Sequence, residues 1–321
     1  MLRKLRKRYG HWLGLSRVSE KVRKVAPIVD RSGIAQRMAL ADARAAYLSI
    51  VAIMKDEGSY LREWLEFHRL VGVEHFVLYD NDSSDDSREV VEPYVSSGCV
   101  DLIPWPNFLA GANAQHLAYA HAAVHLAGRV RWFVTLDLDE FLFSPIANDV
   151  SSVLHEYDDL PALGIFLRCF GPDGHEQPPE GLVIESYLTR LDDADWESRQ
   201  YKSVVQPEHV SSVVGARRFH QVIDETHGYD ELRRALVANV GDAHSSAKLR
   251  INHYATRSMQ ELRAKVARRY FGSEKNVELR RRQKFEQHAK LFDCAIEDRD
   301  ILRFVPELRE RLKRPANVVE A

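Results

Sequence analysis

The first regular pattern in the chain begins at residue 46, where AYLSIVAIM is a continuous apolar, β-branched-rich run followed at once by Lys55, Asp56 and Glu57. A run of strand length without alternation predicts a strand buried on both faces that empties into a polar loop. SYLREWLEFHRLVG then sets Leu61, Trp64, Leu65, His68 and Val71 at i, i+3, i+4, i+7 and i+10, one face of a helix with Ser59 as N-cap and Gly72 as stop. HFVLY at 75–79 predicts a second strand running into DNDSSDDS, a helix over about 85–97 stops at Gly98, and CVDLI follows as a third strand. A further helix over about 112–127 precedes a fourth strand, RWFVTL. Such alternation specifies a parallel sheet covered by helices, with ligands bound beyond the carboxyl ends of the strands.

The fourth strand empties into Asp137, Leu138, Asp139 and Glu140. On an extended backbone Asp137 and Asp139 project together, roughly 6–7 Å apart, and two such carboxylates repel one another unless a cation sits beside them. Hard oxygen ligands in this arrangement suit Mg²⁺ or Mn²⁺, which keep open positions for phosphate oxygens. After Pro145 the pattern loosens into strands at 164–169, 182–187, 202–205 and 250–253. Between the first two lies GPDGHEQPPEG, which reads as an ordered flap bearing Asp173, His175 and Glu176. From Ser258 onward the pattern is helical and basic.

Composition narrows the class. At 321 residues with 45% hydrophobic and 29% charged positions, 16 Gly and 12 Pro, the chain is globular rather than disordered or fibrous. Cys99, Cys169 and Cys294 are widely spaced and form no CxxC, which fits a reducing compartment. The longest stretch free of Asp, Glu, Lys and Arg, Leu102 to Gly128, holds Pro104, Pro106 and three His, so no membrane-spanning helix is expected. The net charge of -2 hides an asymmetry: residues 1–25 carry nine Lys/Arg against one Glu, and residues 257–290 eleven against four acids. In the amino-terminal arm Leu2, Leu5, Trp12, Leu13 and Leu15 interleave with the cations, a pattern suited to RNA, to an anionic membrane surface or to a solvated tail.

Neither GxSxG nor GxGxxG occurs, and the HxxxH pair His121 and His125 lacks the Glu of a zinc protease, so those chemistries lose their usual supports. Metal-assisted chemistry on a phosphate ester survives, and a strand ending in DxD fits either haloacid-dehalogenase-like phosphatases or nucleotide-sugar glycosyltransferases. The phosphatase pattern wants Thr or Val where Phe141 stands and a later paired acid; Asp242 is followed by Ala243 and His244. A glycosyltransferase wants about 90 residues of α/β structure before its DxD, as occurs here.

The segments VAIMKDEGSYLREWLEFHRLVGVEHFVLYDNDSSDDS, WFVTLDLDEFL, FGPDGH, KSVVQP and INHYATRS, in that order within about residues 46–275, resemble the motif series of glycosyltransferase family 92 and of related family-2-like bacterial glycosyltransferases. The resemblance implies a GT-A fold over about 40–256, between a basic arm at 1–39 and a basic helical extension at 257–321. It implies a nucleoside-diphosphate-sugar donor, Mn²⁺ or Mg²⁺, and inversion at the anomeric carbon. Lys55, Asp56 and Glu57 would hold the nucleotide from one side and Asp80, Asn81 and Asp82 from the other. Asp80 stands where similar enzymes carry the first Asp of a DDGS-type segment, accepting a uracil N–H, which makes the donor a UDP-sugar. Asp137 and Asp139 would hold the metal with His253 completing the set, and Lys202, Arg257 and Lys265 would add positive charge. Asp173 or Glu176 would take the acceptor's proton while His175 orients a glycan or glycolipid acceptor, with Glu185 in reserve. Gln206 stands where a basic residue often precedes the proline. A bacterial cytoplasmic enzyme at the inner face of the membrane, touching anionic lipid through its arm and with no nucleic-acid partner, is the nearest analogy. A nucleotide-sugar-binding scaffold without turnover and the phosphatase stand as the alternatives.

Overall fold

Strand β1 (Ala46–Met54) is apolar on both faces because both are covered. Leu48, Ile50, Ala52 and Met54 enter one hydrophobic cluster and Val51 enters a second on the other side, as the two-residue period of a strand requires. Helices α1 (Gly58–Leu70) and α2 (Ser87–Ser96) cover the first cluster through Leu61, Trp64, Leu65, Val91 and Tyr94. Helix α3 (Ala114–His125) covers the second through Ala118, Tyr119, Ala122 and Ala123. The computed structural model describes residues 46–106, 113–213, 219–221, 228–236, 245–267, 285–286 and 288–316. The expected basic arm, Asp242 and much of the basic stretch after Lys265 lie outside the described residues.

The strands that follow are β2 (His75–Asp80), β3 (Val100–Pro104), β4 (Val130–Thr135), β5 (Glu140–Phe143), β6 (Ala162–Cys169) and β7 (Thr189–Arg190). Then come β8 (Tyr201–Val205), β9 (Val210–Val213), β10 (Phe219–Gln221), β11 (Arg250–His253) and β12 (Ile296–Glu297). Among the described residues, eight of them form one sheet in the order β3-β2-β1-β4-β8-β6-β11-β5. The β3-β2-β1-β4 half is parallel. The chain steps outward from β1 to β3 and returns through α3 to lay β4 against β1, so the strand order reverses between β1 and β4. Ligands of open α/β sheets bind at such a reversal, beyond the carboxyl ends of the strands. Here those ends carry Asp56 and Glu57 on one side and Asp137 and Asp139 on the other. Strand β8 runs antiparallel to both β4 and β6 and joins the two halves of the sheet. This is the α/β, GT-A arrangement expected. The DxD follows β4, the fourth strand, whereas the phosphatase pattern usually lies near the start of its domain.

Four local expectations change. Ser59 lies inside α1, whose N-cap is Glu57 without a side-chain cap; the first N–H groups are satisfied from the neighbouring loop instead, where Ser87 Oγ accepts from Glu57 N and Asp85 from Gly58 N. The short helix α4 (Val150–Leu154) leads toward β6, and the segment 182–187, expected as a strand, holds the short helix α5 (Val183–Ser186). Its first-turn N–H groups are taken by the buried carboxylate of Glu63, which accepts from Val183 N at 2.9 Å and Ile184 N at 3.3 Å, and orphan donors satisfied in this way favour a helical start. The DxD is not extended: the chain turns at Leu138 and Asp139, and Glu140 N donates to the Asp137 carbonyl at 3.0 Å. Finally, the described part of 257–321 holds α6 (Met259–Ala267) and α7 (Val305–Lys313), but it also supplies β12 to pair with β7 and sends Ile301, Phe304 and Leu308 into the core beside α1.

Helix α1 grips the terminal strand of the sheet. Trp64 Nε1 donates to the Glu140 carbonyl at 2.9 Å, and Leu142 N donates to His68 Nε2 at 3.1 Å. Because Nε2 accepts, Nδ1 carries the ring proton and donates to the Trp64 carbonyl at 2.8 Å. Complete burial pushes the His68 pKa down from 6.5 to about 3. The unfolded chain therefore takes up a proton below pH 6.5 that the folded ring refuses, so stability is lost as pH falls from 6.5 toward 3. This group contributes up to about 1.4 kcal/mol per pH unit in that window. In urea melts, His68→Phe is expected to lose about 1–3 kcal/mol at neutral pH, from the unpaired Leu142 N–H. The same variant should lose about one proton's worth of acid sensitivity between pH 6 and pH 4; an unchanged slope would refute the assignment.

Candidate active site

The loops after β1 and β2 are sewn together by the polar residues that end those strands. Lys55 Nζ donates to the carbonyls of Asn81 and Asp82 at 2.9 and 3.0 Å. Asp56 accepts from Ser84 N at 2.7 Å, and Asn81 N donates to the Met54 carbonyl at 2.9 Å. Asn81 Nδ2 reaches on to the Trp105 carbonyl after β3 at 2.7 Å. The buried carboxylate of Asp80 accepts from Ser83 N at 2.9 Å and pairs with Arg88. Burial alone would raise its pKa, but the Ser83 and Arg88 donors outweigh that and hold the carboxyl below its usual range. The two expected nucleotide-side groups, Lys55 to Glu57 and Asp80 to Asp82, are thus one connected rim.

Asp137 and Asp139 diverge in their partners. Asp137 accepts from Gln115 Nε2 at 3.2 Å and from Lys202 Nζ at 3.1 Å. Lys202 has no solvent access and also pairs with Glu140, equally buried, at 2.8 Å; Glu140 in turn accepts from Asp137 N at 2.8 Å. The sequence led to the expectation that Lys202 adds positive charge at the donor; buried between Asp137 and Glu140, it instead supports the DxD loop from beneath. Asp139 Oδ2 accepts from Lys265 Nζ at 2.6 Å, while its buried Oδ1 has no hydrogen-bond donor and lies 3.5 Å from His253 Nε2. Burial would raise the Asp139 pKa, but Lys265 and His253 hold it well below the ordinary carboxylate range. Conversely, burial would lower that of His253, and Asp139 raises it. Oδ1 of Asp139 and Nε2 of His253 face each other as an oxygen and nitrogen donor pair that a divalent cation accepts. Among the described residues no three His, Cys, Asp or Glu side chains converge on one point, so Asp137 is not brought to this pair.

Beside Asp139 opens a pocket of about 280 Å³ lined by Asp56, Glu57 and Tyr60 from the β1 side and by Tyr254, Arg257, Glu261 and Lys265 from the segment after β11. Ser258 and Glu261 form a capping box that starts α6: Ser258 N donates to Glu261 at 3.0 Å and Glu261 N to Ser258 Oγ at 3.3 Å. That S-x-x-E spacing was a legible signal for Glu261; nothing marked Tyr60 or Gln115. The flap closes one side through Pro178. Its His175 and Glu176 carbonyls accept from Met259 N and Gln260 N, both at 3.0 Å. The Asp173 carboxylate is taken by Leu188 N, Thr189 N and the Thr189 hydroxyl, so it fastens the flap instead of facing a substrate. His175 Nε2 sits 3.2 Å from the Ser186 carbonyl. Glu176 keeps an exposed carboxylate bridged to Arg263, and Glu185 is held by Leu182 N and Arg309. Among the described residues, five non-glycine residues have left-handed φ, and four of them, Asp56, Asp82, Asp173 and Arg257, belong to these loops. Strain of this kind, of order 1–3 kcal/mol each, collects where a site must be pre-shaped.

Residues 51–290 match the family model described as Glycosyltransferase family 92. A glycosyltransferase family 92 protein of Ricinus communis is 27% identical over 172 residues, 52% of this chain and 30% of that protein. One of Oryza sativa subsp. japonica is 27% identical over 215 residues, covering 66% and 33% of the two chains. A galactan beta-1,4-galactosyltransferase of Arabidopsis thaliana is 27% identical over 162 residues, covering 47% and 32%. The chain spans about a third of the length of these relatives. Among solved structures, TarS of S. aureus aligns over 77% of this chain and 70% of that one at 12% identity, with a TM-score of 0.36. Glucosyl-3-phosphoglycerate synthase from Mycobacterium tuberculosis, in complex with Mn²⁺ and UDP-glucose, aligns over 42% and 48% at 16% identity, with a TM-score of 0.27. Likeness at that level says nothing about the site. With well over half of its length matched by the family model, the chain belongs to glycosyltransferase family 92.

Proposed function

We propose that the protein is a metal-dependent, inverting glycosyltransferase that moves a sugar from a nucleoside-diphosphate donor, a UDP-sugar, to a hydroxyl of a glycan or glycolipid. The observation that carries this reading is the convergence, in one pocket at the sheet's reversal point, of the β1-side residues Asp56 and Glu57 with Asp139 and the cations after β11. Family membership supports the reaction class. The name of the Arabidopsis relative puts galactose first among sugars to try.

In this reading the rim formed by Lys55 to Glu57 and Asp80 to Asp82 binds the nucleoside, with Asp80 accepting the base N–H at a position already polarised by Arg88. Asp139 and His253 would hold the divalent ion, with Oδ1 of Asp139 and Nε2 of His253 as its ligands, while Asp137, two residues earlier on the same turn and held by Gln115 and Lys202, is not part of the set. The ion, Mn²⁺ or Mg²⁺, would supply charge that stabilises the departing diphosphate, commonly the largest catalytic contribution. Direct inversion needs a base on the far side of the sugar. The Glu176 carboxylate is the candidate for the acceptor's proton, since the flap carries it two residues before pocket-lining Pro178 while Asp173 is committed to the backbone. Asp173 and His175 then serve by holding the flap. The site would work in a reducing compartment at the cytoplasmic face of a membrane, and no helix among the described residues is long and apolar enough to cross one.

The primary test is a donor screen of the purified protein with Mn²⁺, scoring UDP release with UDP-galactose among the donors; no release or transfer from any sugar nucleotide would favour a binding scaffold instead. Activity should vanish in EDTA and return with Mn²⁺, and Asp139→Ala should lower kcat by about 10²-fold or more; full turnover in EDTA would remove the metal from the mechanism. Glu176→Gln is expected to lower transfer by about 10²-fold or more while leaving UDP affinity near wild type, as loss of a general base does. Full transfer by that variant would exclude Glu176.

A further inference from the structure

Arg257 is a largely buried cation that no carboxylate meets at hydrogen-bond distance. Its backbone is held at a left-handed φ of 47°, a conformation an arginine adopts only when its surroundings impose it. The guanidinium lies over the Tyr60 ring at 3.8 Å and donates through Nη2 to the Leu138 carbonyl at 3.1 Å. Its carboxylate neighbours stand off, with Nη1 at 3.6 Å from Glu57 and 4.0 Å from Glu261, beyond hydrogen-bond distance. Nε is buried with no acceptor. A guanidinium presents five donors in a planar fork matched to phosphate oxygens, and most of this fork is unused.

Lys265 lines the same pocket from the next turns of the chain. Its ammonium donates to Asp139 Oδ2 at 2.6 Å and to the Ala255 carbonyl at 3.0 Å, which leaves one of its three hydrogens for a further acceptor. The capping box at Ser258 and Glu261 fixes the start of α6, the helix that carries Lys265, directly after Arg257, and Glu261 also accepts from the Tyr60 hydroxyl beneath the guanidinium. The pocket is otherwise acidic, lined by Asp56, Glu57, Asp139 and Glu261, so an anion entering it needs cations at defined points rather than a general positive field.

Resting on the donor assignment proposed above, we infer that Arg257 and Lys265 form a protein-borne clamp for the donor's diphosphate, acting alongside any divalent ion and not replaced by it. Arg257 offers its unused fork to one phosphate group, and Lys265 its remaining hydrogen to an oxygen near Asp139. The clamp confers binding that persists without metal and discriminates diphosphate from nucleoside.

Calorimetric titration with UDP and with uridine, each in Mn²⁺ and in EDTA, tests this on the full chain. Wild type should bind UDP more tightly than uridine in both conditions. Arg257→Met and Lys265→Met should each weaken UDP by about 10- to 100-fold in both, the loss of charge-assisted hydrogen bonds, while uridine affinity stays unchanged; Arg257→Lys should recover part of the loss. UDP binding that survives both Met substitutions would overturn the clamp and leave the donor assignment standing. Equal loss of UDP and uridine would also overturn it, since that marks a structural role. Wild-type protein that binds no UDP even with Mn²⁺ would overturn the donor assignment and the clamp together. Should Arg257→Met fail to fold, Lys265→Met, on the half-exposed side chain, decides by itself.

Discussion

A lysine ammonium cut off from solvent is the constraint around which this site is organised. An ion of that kind is tolerated only with counter-charges at close range, and losing one partner costs several kcal/mol because the other is left uncompensated. Lys202 on β8 finds its partners in Asp137 and Glu140, which bracket the turn leaving β4. Strand β8 is also the antiparallel strand that joins the parallel half of the sheet to the rest. The same side chain thus ties the seam of the sheet to the loop bearing Asp139, and any slip of β8 against β4 would strand buried charge.

From that seam the two walls of the pocket are built differently. The β1 and β2 rim is a web of side chains bonded to backbone, in which Lys55, Asp56 and Asn81 satisfy the groups that end two adjacent strands. The opposite wall depends on a helix start, with Ser258 and Glu261 setting the direction of α6 and so the reach of Lys265. The flap is fastened at both ends, through Asp173 to residues 188–189 and through its carbonyls to the first turn of α6. The first-turn N–H groups of α6, which a helix cannot satisfy by itself, are what hold the flap over the pocket.

Much of this was legible in the sequence, for a physical reason. The run 46–54 is apolar at every position because helices cover both faces of β1, and the polar triplets after β1, β2 and β4 stand out because a ligand-binding sheet keeps polarity at its strand ends. What sequence could not supply depended on distant partners. Leu182, Val183, Ile184 and Tyr187 suit a strand or a helix equally; Glu63, far away on α1, decides for the helix by accepting its first N–H groups. Lys202 in YKSVV reads as an exposed or phosphate-facing cation until Glu140 is found beside it. Asp173 looked available as a base because nothing local shows that the backbone at 188–189 would occupy it.

One consequence concerns the sheet's terminal strand. Among the described residues β5 pairs only with β11 in the sheet, so its outer side would present open N–H and C=O groups on which another chain could add a strand. Helix α1 closes that side: His68 takes the Leu142 N–H and Trp64 takes the Glu140 carbonyl, while the Glu140 N–H is folded back on Asp137. The contacts that steady the DxD turn are therefore also a guard against edge-to-edge association. Damage to them would threaten solubility during folding, before any substrate is met, so that a substitution at Trp64 or His68 would be recognised first by aggregation of the newly made chain.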